Sequence, residues 1–324
     1  MVAQAQDGGG IVGSLWGRLP GIGRGGRVVV CLGVVLGTIG APAAAATVSR
    51  PEDPTFSGKL LATGGVTQVE GAAGGGLTPW AVIGGGGTRE EVGATAFFTA
   101  IRTHDYGMNA YGALLGLWDR VEVSVAQNRF DTQAIGGALG LGDGYALTDT
   151  IAGLKVRVAG DAVYDQDSWM PQVAVGAQYK SNNRASLVKA LGARSDDGVD
   201  VYASATKILL AQSLLLSGTL RLTKANQTGL LGFGGADDDY HAEWGGSAAL
   251  LLDRTLVAGI EYRMKPNTLA RANPGLAPED DWYDAFVAWL PGKNLAFTLA
   301  YVNLGRVVTP TRQNAIYLSL QAGF

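Results

Sequence analysis

Apolar and polar residues alternate along most of the chain after Phe56, in segments of about ten residues that turn residues separate. In one such segment, Leu216 and Leu220 fall on one face, whereas Ser217 and Thr219 fall on the other. Because successive side chains of a strand point to opposite faces, the alternation predicts strands with one apolar face. The predicted strands are residues 59–69, 77–86, 92–102, 107–117, 120–130, 149–159, 170–180, 199–210, 213–224, 242–252, 255–265, 282–290, 294–304 and 313–324.

The lengths of the connections between these strands also form a pattern. With an even number of strands, both termini lie on the same side of a membrane, which is the periplasm for an outer-membrane barrel. Counted back from the C-terminus, the connections predicted to be periplasmic are 118–120, 160–169, 210–213, 253–254 and 290–294. Four of these five are short, and 160–169 is the exception. The connections predicted to be extracellular are all longer than those four, and they are 131–148, 181–198, 225–241, 266–281 and 305–312. Short periplasmic turns and long outer loops are typical of this architecture.

Composition narrows the fold class. Hydrophobic residues make up 47% of the chain and charged residues only 16%. The non-apolar faces of the predicted strands carry mostly Gly, Ala, Ser and Thr, which suits a confined lumen better than a surface in bulk water. A segment that crosses a membrane must satisfy its backbone polar groups internally, which only helices and closed barrels do. We therefore predict an all-β transmembrane antiparallel up-and-down β-barrel of about 14 strands over residues 59–324, with Leu216, Leu220 and Val123 facing lipid near the membrane midplane.

The C-terminal segment has the clearest alternation. Its apolar positions Ile316, Leu318 and Leu320 lead to a terminal aromatic residue, Phe324. This pattern resembles the closing strand of Gram-negative outer-membrane barrels. The resemblance implies that the barrel-assembly machinery reads this segment as an address, so that machinery is a predicted partner during biogenesis.

The N-terminus has the three regions of a secretory signal peptide. Three arginines precede an apolar run from Val28 to Gly40, and an alanine-rich site follows it. The apolar run of about 13 residues is shorter than the roughly 20 that a membrane-spanning helix needs. We predict that residues 1–46 are removed between Ala46 and Thr47, and that residues 47–58 form an N-terminal periplasmic segment. The only cysteine, Cys31, leaves with the signal peptide.

The charge of the mature chain bears on its partners. The whole chain has 25 basic and 28 acidic residues, and residues 1–46 contain three arginines and one aspartate. The remaining 22 basic and 27 acidic residues give a net charge near −5. Nucleic acid is not expected as a partner of such a chain. Outer-membrane lipid, lipopolysaccharide and small solutes are the expected partners.

Three motifs resemble a known family. They are the glycine-rich stretch 63–80, the Asp-rich stretch 161–169 and the stretch 220–227, which reads LRLTKANQ. Together they resemble a proteobacterial family of outer-membrane proteins described as domain of unknown function 3034, over nearly the whole mature chain. The resemblance implies an outer-membrane location and assigns no activity. A run of four glycines, 84–87, departs from the family pattern, in which an aromatic residue is expected before the last glycine.

The glycine-rich stretch allows two interpretations. Consecutive glycines let a backbone pass close to another surface, but they weaken an ordinary strand. In the simpler interpretation, which the count of 14 strands assumes, the stretch is a first hairpin with a flexible glycine turn. In the other interpretation, residues 63–76 fold inward as a partial lumen plug, and the barrel then has 12 strands.

Charged residues on the predicted inner face are the candidate functional residues. They are Glu122, Lys155, Arg157, Arg221, Glu243, Glu261, Arg263 and Asp284. Such a mixture can line a polar constriction that sorts solutes by charge. The same residues can instead pair across neighbouring strands and fill the barrel with ion pairs.

An enzyme is the main alternative to a channel. Hydrolysis needs a nucleophile or an activated water beside a base, usually a histidine. The only histidines are His104, in a short turn, and His241, which follows the acidic run 237–239. This acidic run and a second one at 279–281 are read as solvated loops or as weak cation contacts. No catalytic residue, metal ligand or cofactor is predicted.

These observations predict a porin-like protein of the Gram-negative outer membrane. The expected role is a passive or weakly selective channel for small solutes. The alternative is a structural or surface-interaction barrel with a blocked lumen, and a loop-based hydrolase is a third interpretation.

Overall fold

The barrel wall consists of twelve antiparallel strands in a computed structural model that describes residues 59–138 and 140–324. Two short strands, β1 (Val66–Thr67) and β2 (Ala73–Gly74), pair only with each other. The wall strands are β3 (Val92–Thr103), β4 (Gly107–Leu117), β5 (Val121–Asp131), β6 (Ala146–Ala159), β7 (Gln172–Asn182), β8 (Asp197–Leu209), β9 (Leu214–Thr223), β10 (His241–Leu251), β11 (Leu256–Arg263), β12 (Trp282–Gly292), β13 (Leu295–Arg306) and β14 (Arg312–Gly323). The predicted signal peptide, its cleavage between Ala46 and Thr47, and the segment 47–58 lie outside the described residues.

The predicted strands from residue 92 onward are confirmed, with ends that agree within three residues. The predicted strands 59–69 and 77–86 are wrong as wall strands, and the count is twelve, as the plug interpretation requires. Glycine is the physical reason. Gly85 has a φ of +88°, and a Cβ there would lie 2.4 Å from the carbonyl oxygen of Gly93. No strand with ordinary side chains fits at that position.

The outer face of the barrel is apolar. Leu216, Leu220 and Val123 are 44%, 55% and 39% exposed, and they alternate along their strands with buried residues. Two aromatic pairs lie on the outer face, Trp244 with Tyr262 and Trp289 with Phe297. An apolar band that carries aromatic residues is the surface that a transmembrane barrel presents to lipid. Among the described residues, none of the helices is long and apolar enough to cross a membrane.

The two ends of the barrel differ. The end that we call the turn end has short connections, such as Trp118–Asp119, whose φ values of 53° and 48° define a type I′ turn. The opposite end, the loop end, carries the long loops 132–145, 183–196, 224–240 and 264–281. Short helices lie within these loops, α1 (Gln133–Ala138), α2 (Ala185–Ala190) and α3 (Leu269–Ala272). An apolar cluster of Leu147, Val188, Ala193, Leu231 and Leu269 holds the loops together.

Strands β14 and β3 close the barrel. The terminal residue Phe324 takes part in this closure, because its N–H donates to Ala94 O at 2.8 Å and its carbonyl accepts the Ala94 N–H at 3.1 Å. The side chains of Ile316, Leu318, Leu320 and Phe324 are exposed on the outer face. The apolar positions of the predicted closing strand therefore point toward lipid.

Candidate functional site: a segment bound inside the barrel

Residues 59–91, called the lumen segment below, enter the barrel from one end and return to it, and their central part, 66–84, fills the inside. Both ends of the segment lie at the turn end, and every residue from Val66 to Gly84 is buried. The hairpin of β1 and β2 lies within this buried part. The lumen segment is therefore a plug that is longer than the predicted 63–76.

Glu70 is the centre of the contact between the lumen segment and the wall. Its carboxylate pairs with Lys180 on β7, with Arg221 on β9 at 3.1 Å and with Arg263 on β11 at 2.7 Å. The side chains of Glu70 and Lys180 are completely buried, and those of the two arginines are at most 4% exposed. Three cations from three different strands thus converge on one carboxylate of the lumen segment.

Electrostatics determines the ionisation of Glu70. Burial by itself raises the pKa of a carboxyl group, but Arg221, Arg263 and Lys180 favour the charged form. The result is a pKa of Glu70 well below its ordinary value. The three cations thus favour the charged form of the completely buried Glu70 carboxylate.

The cations of this cluster also contact two carboxylates of the wall. Asp200 on β8 accepts Lys180 at 2.7 Å and Arg221 at 3.0 Å. Glu243 on β10 lies 3.7 Å from Arg263. The cation cluster, defined here as Lys180, Arg221 and Arg263, is thus balanced by Glu70, Asp200 and Glu243.

A second contact uses Glu122 and Lys155, which are cross-strand partners on β5 and β6. The carboxylate of Glu122 accepts the backbone N–H groups of Ala73 at 3.0 Å and Gly84 at 2.8 Å. The ammonium of Lys155 pairs with Glu122 at 3.0 Å and donates to Ala73 O, also at 3.0 Å. This ion pair thus provides hydrogen-bond partners for buried backbone groups of Ala73 and Gly84 that face the wall.

A third contact is made by Glu261 on β11. Its carboxylate accepts the N–H groups of Gly76 and Leu77 and the hydroxyl of Thr78 at 2.5 to 2.9 Å. A Cβ at Gly75 would lie 2.0 Å from Glu261 Oε1, so only glycine permits this approach. Gly75 is therefore explained by the close passage of the backbone past a wall carboxylate, whereas a Cβ at Gly74 would lie 2.2 Å from Thr78 O of the lumen segment itself.

Neutral side chains complete the polar contact. The Thr206 hydroxyl accepts the Ala81 N–H at 2.8 Å and is also hydrogen-bonded to the Ser217 hydroxyl on β9 at 2.8 Å. Thr219 donates to Pro79 O at 2.6 Å, and Ser247 accepts the indole N–H of Trp80 at 2.9 Å. The wall side chains that hydrogen-bond the buried part of the lumen segment thus form a continuous sector from β5 to β11, with Gln321 on β14 in addition.

Ion pairs also hold both ends of the lumen segment. Lys59, at its start, pairs with Asp119 in the β4–β5 turn, and Arg89, near its end, pairs with Asp161 at 3.0 Å. Arg157 bridges the same two aspartates at 2.8 and 3.3 Å. Arg157 was predicted to line the lumen, and it belongs to this turn-end network rather than to the cation cluster.

The other predicted lumen residues lie in the wall around the lumen segment. Glu122, Lys155, Arg221, Glu261 and Arg263 contact it directly. Glu243 contacts Arg263, which in turn contacts the lumen segment. Asp284 is the cross-strand partner of Glu261, and the carboxylate oxygens of Asp284 have no hydrogen bond among the described residues. The expected mixture of charges is present, but its main partner is the lumen segment rather than an open constriction or neighbouring strands alone.

Sequence reasoning missed Glu70, Lys180 and Asp200. One signal was present, because Glu70 is the only charged residue between Leu60 and Thr88. A single carboxylate in a glycine-rich and apolar segment must find cations if the segment is buried. The alternation of β7 and β8 also places Lys180 and Asp200 on the inner faces.

At the loop end, Glu279 fixes the loop 224–240. Both oxygens of its carboxylate accept the N–H of Gln227 at 3.0 Å, and Lys265 lies 3.6 Å away. Burial raises the pKa of Glu279 to about 7, although Lys265 and the Gln227 N–H favour the charged form. This carboxyl group lies outside the wall strands and titrates near neutral pH.

This pKa predicts a dependence of the loop on pH. A carboxyl group whose pKa is raised on folding stabilises the folded state fully below its unfolded pKa of about 4.3, and the contribution is lost as the pH rises toward 7. We expect the Gln227 amide to be better protected from hydrogen exchange at pH 5 than at pH 8, after correction for the intrinsic rate. Glu279→Gln should abolish the difference, whereas Asp239→Asn, at an exposed position of the same loop, should leave it unchanged. Equal protection at both pH values in the wild type would contradict the role of Glu279.

The residues considered for hydrolysis have other partners. His241 Nε2 lies 2.8 Å from Asp237, and Arg271 lies 2.7 Å from the same carboxylate. Each carboxylate of the acidic stretch 279–281 also has a partner within the protein. Glu279 contacts Lys265, Asp280 contacts Arg306 and Asp281 accepts the backbone N–H of Lys265. Among the described residues, no group of three or more His, Cys, Asp or Glu side chains is arranged to hold a metal ion.

The fold and the site define a class of protein, a closed transmembrane β-barrel whose lumen is occupied by a segment of the same chain, the lumen segment. The chain belongs to the family described as protein of unknown function (DUF3034), whose profile matches residues 63–321. The resemblance to this family seen in the sequence motifs is thereby confirmed.

Solved structures of other barrels resemble the chain. The KdgM porin in complex with disordered oligogalacturonate has 9% identity and a TM-score of 0.47, over 71% of this chain and 99% of that one. The NanC porin has 8% identity and a TM-score of 0.47, over 71% and 98%. The COG4313 outer membrane channel from Pseudomonas putida F1 has 13% identity and a TM-score of 0.41, over 76% and 97%. No curated protein sequence matches the chain.

Proposed function

We propose that the protein is a gated channel for small solutes in the Gram-negative outer membrane, and that the lumen segment closes it in the conformation described above. One observation carries the proposal. Side chains of the wall are enough to fill a barrel of about eight strands, whereas a larger barrel encloses additional space. In this twelve-stranded barrel that space holds residues 59–91, and the wall around it carries charged and polar groups.

The lumen segment is separable from the wall. The closed ladder of strands runs from β3 through β14 without it, and β1 and β2 pair only with each other. Displacement of the segment therefore breaks side-chain contacts and leaves the hydrogen bonds between wall strands intact. Because both ends of the segment lie at the turn end, it can leave through that end as a single loop.

A cavity of about 460 Å³ at the turn end supports this direction of movement. It lies between the lumen segment and the strands near the barrel closure, and its lining includes Gly65, Gly84, Thr95, Gln321 and Phe324. The lumen segment is thus less closely covered on this side than around Glu70. We infer that solutes and the departing segment share this opening.

We place the turn end in the periplasm and the loop end outside the cell, after export through the periplasm. Phe324 is at the turn end, where the barrel-assembly machinery would meet the closing strand. The apolar band around the barrel would contact outer-membrane lipid, and the long loops would lie at the level of lipopolysaccharide. The two acidic loop stretches are engaged with basic side chains of the protein itself.

A disulfide between the lumen segment and the wall tests the gate. Thr78 Oγ1 and Ser247 Oγ are 2.8 Å apart, so cysteines at both positions are close enough to bond. We expect the oxidised Thr78→Cys/Ser247→Cys barrel to carry no current in a planar bilayer and the reduced form to show openings. A barrel in which a short glycine linker replaces residues 60–88 should conduct continuously.

The matched control joins two wall strands. Thr99 Oγ1 and Ser319 Oγ are also 2.8 Å apart, and neither residue belongs to the lumen segment. Oxidation of Thr99→Cys/Ser319→Cys should leave the current of the protein unchanged. A linker-replaced barrel that folds, as judged by its heat-modified mobility on gels, and carries no current would rule out the channel.

That result would favour a structural barrel with a blocked lumen. The complete burial of Glu70 with three cations is the observation that supports this second function, because separation of so many buried charges is costly. The two functions differ in whether the lumen segment ever leaves the lumen. Openings of the reduced Thr78→Cys/Ser247→Cys barrel in a planar bilayer favour the gated channel, and their absence favours the structural barrel.

A further inference from the structure

The lumen wall has two chemically different halves. Strands β5 to β11 provide the polar side chains that bind the lumen segment around Glu70, Ala73 and Thr78. The remaining strands, β12 to β14 with β3 and β4, present mainly apolar side chains to the lumen, with Asp284 on β12 as a buried ionisable exception. The large apolar side chains include Phe97, Ile101, Leu114, Trp282, Phe286, Val302 and Tyr317, all at most 7% exposed.

The cation cluster has an imbalance that appears only when the lumen segment leaves. With Glu70 in place, three cations face three carboxylates. Without Glu70, the carboxylates that remain within ion-pair distance of Lys180, Arg221 and Arg263 among the described residues are Asp200 and Glu243. A cation that is left without a partner inside a protein is costly, so this position favours a new anion.

The two halves meet next to the cation cluster. Arg263 on β11 and Trp282 on β12 are cross-strand partners, and the guanidinium carbon lies 5.8 Å from the centre of the indole ring. Trp282 is 4% exposed, and its indole N–H has no hydrogen-bond partner among the described residues. Phe286 lies on the same inward face of β12, four residues further along the strand.

The lumen segment itself spans this boundary. Leu77 O accepts a hydrogen bond from Arg263 at 3.3 Å, whereas a Cβ at the preceding Gly76 would lie 3.4 Å from the ring of Tyr317. A molecule in the place of the segment would therefore touch the cations with one part and the apolar half with another.

From this juxtaposition we propose that the vacated lumen binds amphipathic monoanions, namely small carboxylates with an apolar aromatic or aliphatic body. The carboxylate takes the place of the Glu70 carboxylate on Lys180, Arg221 and Arg263. The apolar body lies against Trp282, Phe286 and Tyr317. This inference rests on the proposed function, since it requires the lumen segment to leave.

The same arrangement disfavours other solutes. A neutral apolar molecule does not replace the negative charge of Glu70 beside the cation cluster. A small inorganic anion leaves the apolar half in contact with water. A monoanion matches the single charge that departure of Glu70 uncovers. Because solute and Glu70 compete for the same cations, the solute binds only the open state and shifts the population toward it.

Binding to protein in lipid nanodiscs tests the inference without any measurement of current. The probe is radiolabelled 3-phenylpropionate in equilibrium dialysis, compared with 3-phenylpropan-1-ol, which has no charge, and acetate, which has no apolar body. We expect 3-phenylpropionate to bind Glu70→Gln at least about tenfold more tightly than the wild type. The alcohol and acetate should bind both proteins weakly.

Second-site variants identify the binding residues. Adding Arg263→Gln to Glu70→Gln should remove the gain, whereas adding Arg312→Gln, at an exposed position on β14, should preserve it. Equal binding of 3-phenylpropionate and the alcohol, or no difference between Glu70→Gln and the wild type, would overturn the inference. If Glu70→Gln fails to fold, the Thr78→Cys/Ser247→Cys protein replaces it, with binding expected in the reduced form and lost on oxidation.

Failure of this inference is distinguishable from failure of the channel. A linker-replaced barrel that conducts but does not prefer 3-phenylpropionate overturns only the class of solute. A linker-replaced barrel that folds and carries no current overturns the proposed function.

Discussion

Glu70→Gln is expected to open the barrel. The substitution keeps the size of the side chain but removes the negative charge that three buried cations share. Removing one partner of a buried ion pair costs about 3–5 kcal/mol, because the remaining charge stays buried without compensation. At about 1.4 kcal/mol for each factor of ten, the ratio of open to closed barrel should rise by roughly two to four orders of magnitude. Open probability in planar bilayers measures this change.

The control lies on the same segment. Glu90 is exposed near the end of the lumen segment, and Glu90→Gln should leave the open probability close to that of the wild type. Glu70→Asp keeps the charge on a shorter side chain and should fall between Gln and the wild type. A Glu70→Gln barrel that folds and is as closed as the wild type would show that Glu70 does not hold the gate.

The second large effect is expected on the outer face. Leu220 points to lipid and is paired in register with Ala203, whereas Leu216 is paired with Lys207. The Lys207 ammonium reaches the backbone of the β6–β7 connection and so marks the turn-end edge of the apolar band. Arginine costs about 2–4 kcal/mol at the membrane midplane and about 0–1 kcal/mol near the interface. Leu216, beside Lys207, thus lies closer to the interface than the midplane position predicted from the sequence. Leu220→Arg should therefore lower the stability of the barrel far more than Leu216→Arg.

Folding into vesicles followed by urea unfolding measures the two variants side by side. Similar losses for Leu220→Arg and Leu216→Arg would mean that the apolar band is placed wrongly along the strands. Thr219, next to Leu220 in the chain, points to the inner face of the wall. Because Thr219 contacts Pro79 O and Ser204 in a filled lumen, we expect Thr219→Arg to displace the lumen segment.

The wall strands could be predicted from the sequence because the alternation that defines each strand is a local pattern. Lipid on one side and a confined lumen on the other impose a period of two on every strand, and a shift by one residue would exchange the two faces. Leu220 and Thr219 therefore occupy the faces that alternation assigns. The closing segment from Ile316 to Leu320 is recognisable for the same reason. Charged residues such as Arg221 and Glu261 are likewise placed inward by the pattern alone.

Only the tertiary structure decided what occupies the lumen. Short apolar runs between glycines, such as those in residues 59–86, are compatible with a wall hairpin and with a buried segment, since neither state leaves a distinctive period. The choice depends on contacts between distant residues, as when Glu70 meets Arg263, 193 positions further along the chain. No local pattern encodes that three wall cations have only two wall carboxylates within ion-pair distance and that the third carboxylate, Glu70, comes from a distant segment. The sequence by itself determined a transmembrane barrel with charged inner residues, and three-dimensional packing determined that those residues hold a segment of the same chain.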